Sequence, residues 1–134
     1  MENTQTSAAV PTGKKKIVIV EDDTFLAGMY STRLATEGYD VKMASDGQIG
    51  VDMVTKELPD IILLDIILPE LDGFSVLQKI KADGATKNIP VILLTNLGQK
   101  ADVERGLELG ASDYLIKAHF TPSEVVAKIK ALIG

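Results

Sequence analysis

Apolar residues in this chain fall into two alternating rhythms. Residues 17–20, 61–64 and 90–94 are apolar at every position. Such runs predict strands covered on both faces, as in a parallel sheet. Residues 40–44 alternate polar and apolar side chains, which predicts an edge strand, and 114–116 make a shorter fifth. Between these runs apolar positions recur at helical spacing. Residues 23–37 carry Phe25, Leu26, Met29, Tyr30 and Leu34, with Gly38 as the stop. Residues 46–57, 73–83 and 98–109 continue the series. The last helix opens at Thr121-Pro122-Ser123-Glu124, a capping box with proline at its first position. Val125, Val126, Ile129 and either Leu132 or Ile133 supply its buried stripe. Met29, Met43 and Met53 read as fillers of core gaps.

Five strands alternating strictly with five helices imply an α/β fold: one parallel sheet between two helical layers, joined by right-handed crossovers. Many proteins share that plan, so function has to come from a site. In such sheets ligands bind beyond the carboxyl ends of the strands. Glu21-Asp22-Asp23 follow the first strand, Asp65 the third, Thr95-Asn96 end the fourth, and Lys117 follows the fifth. Singly these are unremarkable: Asp23 reads as a helix N-cap, Lys117 as a surface lysine, Thr95 as a strand-end residue. Together they are the inventory that phosphoryl transfer to a carboxylate requires. Two unit charges about 4 Å apart repel by roughly 4 kcal/mol at an effective dielectric of 20. Clustered acids therefore call for a cation, and Mg²⁺, with its preference for oxygen ligands, suits Glu21, Asp22 and Asp65. Asp65, fixed behind four apolar residues, is the candidate nucleophile. The cation and Lys117 would offset phosphoryl charge. The Thr95 hydroxyl and the Asn96 backbone N–H would each donate a hydrogen bond to the phosphoryl group.

Composition narrows the choices. With 134 residues the chain is the length of one domain, and 46% hydrophobic residues is too many for a disordered protein. A net charge of −5 makes direct nucleic-acid binding a poor default, and Lys14-Lys15-Lys16 reads as a solvated entry to the first strand. Cysteine is absent, which fits a reducing cytoplasm. No apolar run is long enough for a membrane span, and no signal peptide opens the chain. Residues 1–14 are expected to be a disordered tail and 15–134 the folded domain.

The sequence resembles the receiver domains of two-component response regulators, of the chemotaxis-regulator kind. The resemblance is carried by Val20-Glu21-Asp22-Asp23, Pro59-Asp60 with residues 61–65, Leu68-Pro69 with Asp72-Gly73, Leu94-Thr95, and Gly110-Ala111-Ser112-Asp113-Tyr114-Leu115 with Lys117. It implies a flavodoxin-like sheet of strand order 2-1-3-4-5 and a signalling switch rather than an enzyme. Glu21 and Asp22 would be the acidic pocket and Asp65 the phosphoacceptor. The Ile67 backbone carbonyl would complete the Mg²⁺ shell, Lys117 would bind phosphate, and Thr95 with Tyr114 would form the switch pair. The implied donor is a histidine kinase or phosphotransfer protein. The implied output is an unknown downstream protein that reads the face of the fourth helix, fifth strand and fifth helix.

Two positions depart from that family. Ala118 stands where a cis proline is usual, so a trans peptide is expected after Lys117. Asn96 is bulkier than the residue common there, which predicts an altered phosphoryl lifetime. His119 reads as an exposed loop residue. Competing functions fit less well. An aspartyl phosphohydrolase wants a second aspartate where Ile67 stands, and a flavin or nucleotide site wants a glycine-rich loop where Glu21-Asp22-Asp23 stand. A docking-only relative has no need of Asp65, Thr95 and Lys117. The chain stops at Gly134, and both a single-domain regulator and a piece of a longer protein fit that end.

Overall fold

The computed structural model describes residues 13–134. Of the expected tail only Gly13 and Lys14 fall among the described residues. Five strands, β1 (Lys16–Val20), β2 (Asp40–Ala44), β3 (Ile61–Leu64), β4 (Val91–Thr95) and β5 (Asp113–Ile116), alternate with five helices. These are α1 (Thr24–Thr36), α2 (Gly47–Glu57), α3 (Gly73–Ala82), α4 (Lys100–Glu108) and α5 (Pro122–Ile133). Every pairing is parallel and the order is β2-β1-β3-β4-β5, the flavodoxin-like arrangement.

The period of two along each central strand divides the core. Ile17, Ile19, Ile61, Leu63, Ile92 and Leu94 face α1 and α5. Val18, Val20, Ile62, Leu64, Val91 and Leu93 face the opposite layer, which includes α2 and α3. Continuous apolar runs are thus explained by two covered faces. β2 lies at the border, where Lys42 and Met43 are exposed. Met43 is therefore not a core filler, unlike Met29 and Met53, which pack against the two clusters.

Local chemistry sets the helix starts. Asp23, Asp46, Asp72 and Thr121 each accept a backbone N–H in the first turn of α1, α2, α3 and α5, and Thr121 with Glu124 completes the capping box. α4 begins at Lys100 rather than at 98, and Gln99 gives it no side-chain cap. The residues before it are held instead as a loop by bonds at Leu97. α1 buries Ala27, Tyr30 and Leu34, which leaves Phe25 on the far side of the helix, 78% exposed rather than in the apolar stripe. In α5 the stripe closes with Ile133, while Leu132 is exposed.

Candidate functional site

Parallel register levels the strand ends. Val20 pairs with Leu64, and Thr95 with Ile116, so Glu21, Asp65 and Lys117 leave the same edge of the sheet. The Asp65 N–H donates to the Val20 carbonyl and the Glu21 N–H to that of Ala44, both at 3.0 Å. These bonds extend the ladder one residue and fix where both carboxylates start.

Lys117 then joins them. Its Nζ lies 2.6 Å from Glu21 Oε1 and 2.8 Å from Asp65 Oδ2, and all three side chains are largely buried. The second Asp65 oxygen accepts the Ile66 and Ile67 N–H groups at 2.7 and 3.2 Å. Glu21 Oε2 accepts the Asp23 N–H at 3.1 Å. Asp22 is exposed, yet carboxylate oxygens of Glu21, Asp22 and Asp65 all lie within 4.8 Å of one another. Asp23 turns away and caps α1, as expected. Gly73 is what lets α3 begin against this loop. Its N–H bonds the Ile66 carbonyl at 2.7 Å, and a Cβ there would stand 2.2 Å from the Asp65 carbonyl oxygen.

Burial dominates the electrostatics. It pushes the Glu21 carboxyl above its ordinary range, and the Asp65 charge adds to this, while Lys117 and the Asp23 N–H pull it back. Burial pulls the Lys117 ammonium down, but its bonds to Asp65 and Glu21 outweigh that and leave its pKa raised.

Thr95 is wholly buried, and its Oγ1 accepts the Leu97 N–H at 3.3 Å. The half-buried Tyr114 donates its hydroxyl to the Leu97 carbonyl, so one residue links the two members of the expected switch pair. The Tyr114 ring lies against α4 at Gly106, where an added Cβ would come within 2.9 Å of it. Burial, then Asp102 and Asp65, push its phenol up to about 12. Asn96 is exposed and lines a hollow of about 320 Å³ with Leu26, Met29, Tyr30, Lys117, Phe120 and Pro122. Ile67 presents its side chain to solvent, 59% exposed. Lys117–His119 form one 3-10 turn with His119 exposed, and no peptide bond among the described residues is cis. Tyr30, read from sequence as one more apolar position, is buried beside the acids and lines a small cavity with Glu21 and Asp65. The one signal for it was a hydroxyl on an otherwise apolar stripe.

Residues 17–130 match the family described as the response regulator receiver domain. The chain belongs to that family. This receiver domain is 43% identical over 120 residues to a probable transcriptional regulator, ycf27, of Guillardia theta, covering 90% of this chain and 46% of that protein. It is 42% identical over 118 residues to the DNA-binding dual master transcriptional regulator RpaA of Synechocystis sp., covering 88% of this chain and 48% of that protein. It thus spans about half the length of the curated relatives it matches. The receiver domain of Francisella response regulator 1452 superimposes with a TM-score of 0.82 at 29% identity, covering 89% of this chain and 96% of that one. Receiver domains are the signalling modules of two-component systems. Among the described residues of this one, no helix is long and apolar enough to cross a membrane.

Proposed function

We propose that this receiver domain is a phosphorylation switch in which Asp65 accepts a phosphoryl group from a phosphohistidine of a histidine kinase or phosphotransfer protein. The observation that carries the reading is the single ammonium of Lys117 set between the Glu21 and Asp65 carboxylates, at 2.6 and 2.8 Å. An Asp65 oxygen attacks phosphorus, the donor's N–P bond breaks, and its electron pair stays on the imidazole nitrogen. The Ile66 and Ile67 N–H groups hold the other Asp65 oxygen, which aims the attacking one. Lys117 offsets charge on the phosphoryl oxygens, and the Thr95 hydroxyl and Asn96 N–H donate to them.

The acid cluster fits a hard divalent cation, since Glu21, Asp22 and Asp65 each bring an oxygen ligand to one place. These three, with the Ile67 carbonyl, would hold Mg²⁺. Bound there, the ion neutralises charge on the phosphoryl oxygens as a Lewis acid. Thr95, Leu97 and Tyr114 form the connected route outward. A phosphoryl group that draws the Thr95 hydroxyl away from the Leu97 N–H loosens the loop on which the Tyr114 hydroxyl rests. That biases the α4-β5-α5 face a downstream protein reads.

Incubation with acetyl phosphate and Mg²⁺ followed by intact mass tests this. The expected result is one added phosphoryl group, lost in Asp65→Asn and blocked by a chelator. Uptake that survives Asp65→Asn would refute the assignment.

A further inference from the structure

The chain has three tyrosines, and two of their hydroxyls have protein partners. Tyr39 donates to the Gly134 carbonyl at 3.1 Å, and Tyr114 to that of Leu97. Tyr30 is 4% exposed, and its hydroxyl has no hydrogen-bond partner among the described residues. A buried hydroxyl left unpaired costs about 1–3 kcal/mol. Phenylalanine would fill the same space in the core shared with Ile19, Ala27 and Leu34 without that penalty. Packing therefore explains the ring and leaves the hydroxyl unexplained.

The hydroxyl's surroundings are charged. Tyr30 lines a cavity of about 10 Å³ together with Glu21 and Asp65, and aliphatic side chains close the rest. That is room for about one water, and Tyr30, Glu21 and Asp65 are the polar residues around it. The phenol also feels the opposed charges of Lys117 and Glu21. Lys117 is shared between Glu21 and Asp65. An ammonium has three donors, but they point in different directions. Following a phosphoryl group on Asp65 means loosening from Glu21, whose buried carboxylate then keeps the Asp23 N–H and the cation proposed above and gains from a further donor.

We propose that Tyr30 is a positioning residue for phosphoryl transfer: its hydroxyl bonds the Glu21 carboxylate through one water in the shared cavity and so frees Lys117 to follow Asp65. The proposal rests on the phosphoacceptor reading of Asp65.

The test compares wild type, Tyr30→Phe, Glu21→Gln and the double variant. Each is followed by phosphoryl uptake from acetyl phosphate with Mg²⁺, by thermal unfolding, and by tyrosine emission during a Mg²⁺ titration. The chain has no tryptophan to mask that emission. Tyr30→Phe should melt within about 2 °C of wild type, since the ring still packs. Its uptake should slow about tenfold, as for loss of a hydrogen bond to a charged group. Its emission change with Mg²⁺ should shrink. In the Glu21→Gln background the substitution should slow uptake no further, because both changes break one connection. Uptake by Tyr30→Phe at the wild-type rate, or a tenfold loss repeated in full beside Glu21→Gln, overturns the role of Tyr30. Wild-type protein that takes up no phosphoryl group overturns the phosphoacceptor reading instead.

Discussion

At the scale of single residues the site is a compromise among buried charges. Glu21 illustrates it. Its carboxyl pKa is raised, chiefly by burial, so the folded state holds that proton more tightly than the unfolded chain does. Such a group adds stability below its ordinary value of 4.5 and loses it as pH rises through the raised folded value. At neutral pH the ionised Glu21 therefore burdens the Mg²⁺-free fold. Glu21→Gln should raise the urea midpoint of Mg²⁺-free protein at pH 7, and the gain should vanish in acid below about pH 4.5. A variant less stable than wild type at pH 7 would show that the Lys117 bond outweighs burial. Lys117 works in the opposite range. Its raised pKa means its stabilising contribution is complete below 10.5 and fades as pH climbs through the folded value. The stability difference between wild type and Lys117→Met should hold level from about pH 8 to 10 and narrow above that.

At the scale of elements, close approach of backbone decides what can vary. Gly73 brings the first turn of α3 against the loop that carries Asp65. A Cβ there would meet the Asp65 carbonyl oxygen at 2.2 Å and the Ile66 Cα at 2.4 Å, and backbone cannot step aside. Gly73→Ala should destabilise the domain by about 3 kcal/mol in denaturant unfolding and slow phosphoryl uptake with it. Gly106 in α4 is the instructive contrast. Its nearest neighbours would be the ends of two side chains, Leu93 Cδ1 at 2.6 Å and Tyr114 Cδ2 at 2.9 Å, which can turn away. Gly106→Ala should cost only about 1 kcal/mol while displacing the Tyr114 ring from Leu97, visible in near-ultraviolet circular dichroism. An unchanged aromatic spectrum would mean that α4, rather than Tyr114, had moved. Among the described residues α4 is also the one α-helix that starts without a side-chain cap, so its first turn is the least anchored. That suits an element whose position a phosphoryl group is proposed to bias.

At the scale of the whole molecule, the ends of β1 and β3 must hold three acids together against their own repulsion. A cation that binds only this folded arrangement stabilises it by mass action, about 2.7 kcal/mol at a hundredfold excess over its dissociation constant. Mg²⁺ should therefore raise the melting temperature, and a chelator should reverse the rise. No change at millimolar Mg²⁺ would argue that Glu21, Asp22 and Asp65 do not act as one site. The two-faced core makes this arrangement rigid. β1, β3 and β4 are buried on both sides, so the strand tips that carry the acids and Thr95 rest on the most densely covered part of the sheet.

Much of this was legible in the order of residues. The alternation of elements, the edge character of β2, the N-caps at Asp23 and Thr121, and the polar residue at each central strand end all follow from side-chain periodicity and from hydrogen bonds that reach only a few positions along the chain. Their neighbours across space were not legible. That Phe25 faces water while Tyr30 turns toward the acids depends on how α1 is rotated against β1 and β3. That one Leu97 peptide serves both Thr95 and Tyr114 depends on where the loop after β4 meets β5. That Lys117 bonds Glu21 as well as Asp65 depends on parallel register across four strands, β1, β3, β4 and β5. Local free energies select the elements, whereas these contacts join segments separated by up to a hundred positions. They exist only once the sheet has set its strands side by side.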